Sequence, residues 1–132
     1  MVLDSAGGAL NKMLPVIKMG IGSPIGSGKQ FMPWIHSEDL VRIFAHVIDK
    51  QLEGTFNALS GAVTNREFMK TIAKTIKKPF WFPNVPSFVL RTMYGEMSLM
   101  LLYGVKASNQ KICSTGFEFK FKELDKALQD VL

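Results

Sequence analysis

The sequence predicts an α/β fold in which helices surround a few short strands. Three observations carry it: an apolar stripe of Leu40, Ile43, Phe44, Val47 and Ile48 at helical spacing, a Thr64-Asn65-Arg66-Glu67 capping box ahead of Phe68, Ile72 and Ile76, and strict alternation of Phe117, Phe119 and Phe121 with Glu118, Lys120 and Lys122. With 132 residues, 47% of them apolar, the chain is long enough for one compact domain that needs no disulfide or metal to hold a core.

Taken in order, Met1-Val2-Leu3 reads as the end of a strand, and Asp4 to Gly8 as a turn. Leu10, Met13, Leu14 and Ile17 recur at helical spacing, with a kink or break expected at Pro15. A glycine-rich loop spans Gly20 to Gly28, and Phe31 to Ile35 carries Pro33, which suits an edge or irregular strand better than a central one. Ser37 is the expected N-cap of the next helix, with Glu38 and Asp39 complementing its dipole. Thr55 to Leu59 reads as a strand, the capping-box helix follows, and Pro79 is expected to stop it. After the aromatic link Phe80-Trp81-Phe82, a long helix is expected from Ser87, with Val89, Leu90, Met93, Met97, Met100 and Leu101 on its apolar side and Gly104 at its end. Ser108 begins a short helical turn, Phe117 to Phe121 is the clearest strand, and Leu124, Ala127, Leu128 and Val131 make a closing helix.

Composition narrows the function. The single cysteine, Cys113, cannot bridge internally and stands in no metal-ligand spacing; it reads as a small buried hydrophobe in a protein of a reducing compartment, expected to be cytoplasmic. A net charge of +5 raises nucleic-acid binding, but the densest basic cluster, Lys70, Lys74, Lys77 and Lys78, lies at helical spacing opposite an apolar stripe and reads as a solvated face. No apolar run is long enough for a membrane span, so neither a specific nucleic acid nor a membrane is an expected partner.

The stretch Gly22 to Gln30 imitates two phosphate loops and fits neither. A Walker loop needs a hydroxyl where Gln30 stands, and a dinucleotide fingerprint needs a strand before it and a helix after it, whereas here the order is reversed. Glu96 falls within an apolar helical stretch and is expected to take a structural hydrogen bond. His46 reads as packing, while His36, at a strand-to-helix junction beside Trp34, is the better functional candidate.

The segments Val2-Leu3-Asp4, Gly7 to Leu10, Lys12 to Pro15, Gly26 to Gln30, Trp34-Ile35-His36, Asp39-Leu40, Val63 to Asn65, Glu67-Phe68, Gly95-Glu96-Met97, Gly116-Phe117 and Phe119 resemble, in order and spacing, the C-terminal half of an extended short-chain dehydrogenase/reductase, in the NAD-dependent epimerase/dehydratase-like branch often labelled cell-division-inhibitor-related. The resemblance implies that about residues 1–60 complete a Rossmann-type domain whose core is missing here and that about residues 61–132 form a small C-terminal family domain. It implies a parent that binds NAD(P) and catalyses with a Tyr-x-x-x-Lys pair. The chain lacks that pair, since Ser98 and Ala107 stand fourth after Tyr94 and Tyr103. The chain is therefore expected to be a fragment that binds no cofactor itself and is not catalytic alone, forming the substrate-side wall of the cleft. By the same resemblance Lys12, Met13, Gln30, Trp34 and His36 would line that cleft for a small-molecule substrate; Met32, where nucleotide-sugar relatives carry an arginine, argues against a nucleotide-diphosphate one. The stripe of the Glu38–Lys50 helix should then be left partly bare, to be covered by self-association or by the absent Rossmann half. The alternative is a self-contained interaction domain using the aromatic link and the Met-rich helix as its surface.

Overall fold

The structure, a computed structural model, describes residues 1–81, 83–84 and 104–132. The expected Met-rich helix, with Phe82, Tyr94, Glu96 and Tyr103, lies outside the described residues. The described chain runs β1 (Val2–Leu3), α1 (Gly8–Lys18), β2 (Phe31–His36), α2 (Ser37–Asp49), β3 (Gly61–Thr64), α3 (Asn65–Thr75), α4 (Gln110–Cys113) and α5 (Leu124–Val131).

The three strands form one mixed sheet in the order β1-β2-β3. β2 pairs parallel with β1 through Val2↔Ile35 and Leu3↔His36, and antiparallel with β3 from Phe31↔Thr64 to Trp34↔Gly61. β2 is thus the central strand, not the expected edge. Pro33 is tolerated because of where its missing N–H would point. Its carbonyl accepts from the Met1 amine, and the Ile35 N–H donates to the Met1 carbonyl at 3.0 Å. The Pro33 nitrogen lies on the same side as its own carbonyl, so no hydrogen bond to β3 is lost. Pro15 likewise neither breaks nor ends α1, which runs three residues past it.

Alternation along β2 sends Trp34 and Ile35 to opposite faces. Trp34 joins a core with Leu3, Leu10, Ile17, Phe68, Ile72, Phe121, Ala127 and Leu128, which α1, α3 and α5 cover. Ile35 joins a smaller core with Ile43, Ile112, Phe117 and Phe119 beneath α2. Both cores draw side chains from before and after residue 60.

The capping-box helix forms as expected: the Glu67 N–H donates to Thr64 Oγ1 at 3.2 Å, and Phe68 and Ile72 are fully buried. It ends at Thr75, before Pro79, with Lys77 in the left-handed region at φ 55°. Lys70, Lys74, Lys77 and Lys78 are all exposed, as a solvated face requires. Cys113 is exposed rather than buried; in this single turn it is Ile112 that enters the core.

Two expected strands are not strands. Thr55 to Leu59 has no ladder partner among the described residues; side chains take its backbone groups instead, with Lys111 Nζ donating to the Thr55 carbonyl (2.8 Å) and Asn109 Nδ2 to that of Leu59 (3.1 Å). Phe117, Phe119 and Phe121 are buried and their neighbours exposed, as the alternation demands, yet the segment joins no sheet among the described residues. The Gly61–Thr64 strand was not anticipated, because four residues with one large apolar side chain give too short a pattern to read.

Candidate functional site

The chemistry-bearing side chains gather where β2 runs into α2. His36, not Ser37, is the N-cap of α2: its Nδ1 accepts the Glu38 N–H at 3.1 Å. Because Nδ1 accepts, the neutral ring carries its proton on Nε2, which faces Asp130 Oδ2 on α5 at 3.1 Å. The imidazole also stacks on Phe121, with ring centroids 3.8 Å apart. His36 is buried and both its nitrogens are engaged. Upstream, the Asp4 carboxylate is held below the usual carboxylate range, first by the Ala6 N–H and then by the Ser37 hydroxyl.

One turn into α2, Asp39 is fully buried. Its carboxylate accepts the backbone N–H groups of Lys120 (2.9 Å) and Phe121 (2.8 Å) and an Arg42 guanidinium N–H (2.6 Å). These bonds replace the sheet ladder the alternation of phenylalanines suggested. Read alone, Asp39 is one of two acids at a helix start; nothing in the sequence marks its partners 81 and 82 residues away. Glu38, exposed beside it, pairs with the Lys120 ammonium at 2.7 Å.

The glycine-rich loop is tied into the fold. The Ile25 N–H donates to Asn65 Oδ1 (2.7 Å), Gln30 Nε2 to the Ile25 carbonyl (2.9 Å), Asn84 Nδ2 to the Gly26 carbonyl (2.9 Å), and the Arg66 N–H to the Gly28 carbonyl (3.0 Å). Asn65, fully buried at the start of α3, also points Nδ2 at the Met32 sulfur, 3.0 Å away. The loop does not fit a dinucleotide: helix α1 precedes it and strand β2 follows it. At Gly28 (φ 70°) a Cβ would stand 2.8 Å from Pro24 and 3.3 Å from Arg66, so this glycine serves chain packing and not the approach of a pyrophosphate.

Of the residues expected to line a cleft, Lys12 is exposed on α1, Met13 is half-buried against the larger core, and Gln30 is half-buried at the start of β2. Trp34 and His36 are buried on β2, Trp34 with its indole Nε1 unpartnered. No hydrogen bond described joins the five to one another. His46 packs as expected, its ring edge to Phe117 and its Nε2 2.9 Å from Thr115 Oγ1. A cleft of about 380 Å³ opens instead along β3, lined by Trp34, Gly61, Glu67, Thr71 and Lys122 to Asp125.

The stripe of α2 is half covered. Ile43 is buried and Leu40 and Val47 pack on the smaller core, but Val41, Phe44 and Ile48 are 67%, 62% and 72% exposed on one helix face. Among the described residues no three His, Cys, Asp or Glu side chains could hold a metal, and no helix is long and apolar enough to cross a membrane.

Residues 85–131 match a family described as a domain of unknown function, DUF1731. Over 99% of its length the chain is 40% identical to the epimerase family protein SDR39U1 of Mus musculus and 37% identical to that of Homo sapiens, and over 95% it is 35% identical to the epimerase family protein YfhF of Bacillus subtilis. It covers 45%, 45% and 42% of those proteins, so it spans less than half the length of the curated relatives it matches. In structure, 98% of the chain overlays 45% of the crystal structure of human SDR39U1 (isoform 2) with NADPH, at a TM-score of 0.91 and 36% identity. It also overlays 24% of a nucleoside-diphosphate sugar epimerase from Corynebacterium glutamicum at a TM-score of 0.67; at 21% identity that likeness concerns the fold alone.

Proposed function

We propose that this chain, whose sequence and α/β fold match the C-terminal part of an SDR-family epimerase, is the substrate-side portion of an NAD(P)-dependent epimerase-like oxidoreductase and has no redox activity alone. The overlay on the human protein with NADPH is the observation that carries the reading. Two features of the chain support it. At Gly28 the glycine-rich loop packs on Pro24 and Arg66, and helix α1 precedes it where a dinucleotide loop has a strand, which suits a nucleotide held by the rest of a longer protein. The bare face of α2 is a surface that the nucleotide-binding portion would cover, by burying Val41, Phe44 and Ile48.

In this reading Lys12 and the Gln30 amide supply polar contacts to a small substrate and Met13 an apolar one. Trp34 and His36, both buried, act on the cleft by holding β2 and α2 in place, with the indole as its apolar floor. The free, exposed Cys113 fits a reducing compartment such as the cytoplasm. NADPH consumption tests the proposal: the purified chain, offered aldehydes, ketones and nucleotide sugars, oxidises no NADPH, and the same substrates are turned over only when the nucleotide-binding portion is supplied. Turnover by the chain alone contradicts it.

A further inference from the structure

The C-terminal ends of α1 and α3 meet at one corner of the molecule. A Cβ at Gly20, just beyond α1, would stand 3.7 Å from Pro79 Cγ, just beyond α3. Ile76 and Phe80 turn onto the larger core, while Met19 and Trp81, 74% and 73% exposed, are the two most exposed large apolar side chains described. Val16 and Ile21 widen the same surface; the Ile21 N–H donates to the Val16 carbonyl at 3.3 Å, which keeps both beside Met19.

The corner is also basic. Lys18, Lys77 and Lys78 are exposed and have no acidic partner among the described residues, whereas Lys74 pairs with Asp125. No Asp or Glu occurs between Asp4 and Glu38 or between Glu67 and Glu96, so neither stretch that builds the corner carries an acid of its own. Helix C-termini draw lysines, and a solvated face tolerates them, but neither accounts for large apolar side chains set among them. A second copy docked corner to corner would place like charges together. The matching surface is negative outside and apolar just beneath, which is the profile of a bilayer with anionic headgroups. Trp, with an apolar ring and a polar N–H, suits the headgroup level of such a surface.

We propose that this corner docks the chain on an anionic lipid surface, with Met19 and Trp81 entering the headgroup boundary and Lys18, Lys77 and Lys78 meeting lipid phosphates. The contact is peripheral, since no described helix is long and apolar enough to cross a membrane. It does not depend on the epimerase reading and uses neither the residues assigned to the substrate cleft nor the bare face of α2.

The test is flotation of the full chain with lipid vesicles, together with its tryptophan emission. Because Trp34 is buried, a change of emission on binding reports Trp81. With vesicles of about one-third phosphatidylglycerol in phosphatidylcholine, the chain floats and its emission moves to the blue; on pure phosphatidylcholine, or at about 500 mM salt, binding is about tenfold weaker. Trp81→Phe abolishes the blue shift. Met19→Glu, and separately Lys77→Glu with Lys78→Glu, each weaken flotation about tenfold with the melting temperature unchanged, because all three side chains are exposed. Phe44→Glu with Ile48→Lys leaves flotation as it was. No flotation, equal binding to neutral vesicles, emission unmoved on the vesicles, full flotation of the Met19 and lysine variants, or loss of flotation in the α2 variant overturns the proposal. So does tighter binding of a single-stranded oligonucleotide than of the vesicles.

Discussion

The Asp39 carboxylate, at the start of α2, accepts the Phe121 backbone N–H at 2.8 Å across 82 residues of sequence. With its second oxygen on Lys120 N–H and Arg42, Asp39 holds the C-terminal aromatic segment against the sheet in place of a fourth strand. Phe121 in turn carries the His36 ring, so one buried carboxylate fixes both the end of β2 and the approach of α5.

Asp39→Asn therefore turns one of its two acceptor oxygens into a donor facing a backbone N–H. The expected loss, read by urea denaturation, is about 3 kcal/mol, because a buried donor is left unpaired and Arg42 loses its counter-charge. A loss of about 0.5 kcal/mol, the scale of an ordinary acid in a helix's first turn, would show that the anchor carries little.

Asn65→Ala releases the Ile25 N–H from its only described acceptor and leaves the glycine-rich loop held from Gly26 onward. Stability is expected to fall by about 2 kcal/mol. Amide exchange should accelerate at Ile25 well before it does in α3; equal acceleration in both would mean that the loop was not separately pinned.

Asp4 gives a pH signature. Its pKa is depressed in the folded state, chiefly by the Ala6 N–H, so its stabilisation is present above the ordinary carboxylate range and is lost as pH falls through the depressed value. Asp4→Asn should lower the melting temperature at about pH 7 and make no difference at about pH 2. A difference that persists in acid would place the effect in packing.

The exposed face of α2 predicts self-association of the isolated chain. Sedimentation should show concentration-dependent oligomers that Phe44→Glu with Ile48→Lys disperses, with stability changed by no more than about 0.5 kcal/mol, since neither side chain packs in the described cores. A monomer with wild-type side chains at high concentration would remove the argument that this face needs a cover.

What the sequence made legible depended on whether the signal was local. α2 and α3 were readable because each combines an apolar stripe with a start signal a few residues away. The burial of Phe117, Phe119 and Phe121 was readable as well, since alternation reports which side chains face inward. It does not report what the backbone bonds to, and here Asp39 takes the place of a neighbouring strand. Thr55 to Leu59 failed for the same reason. The cap of α2 was misplaced by one residue because an imidazole nitrogen does what Ser37 was expected to do. Cys113 was misplaced because a single helical turn has no period from which to tell its inner side. The cleft could not be seen at all, because its walls come from β3, α3 and the start of α5, which lie far apart in the sequence.

The proposed function holds the electron carrier outside these residues and gives the chain the substrate side of the cleft. Titration of NADPH by fluorescence into the chain alone, and into the chain mixed with the part of human SDR39U1 that it does not overlay, tests this most directly. No saturable binding by the chain alone, with binding restored in the mixture and weakened by the Phe44→Glu, Ile48→Lys pair, is the predicted result. Micromolar or tighter retention of NADPH by the 132-residue chain would contradict it.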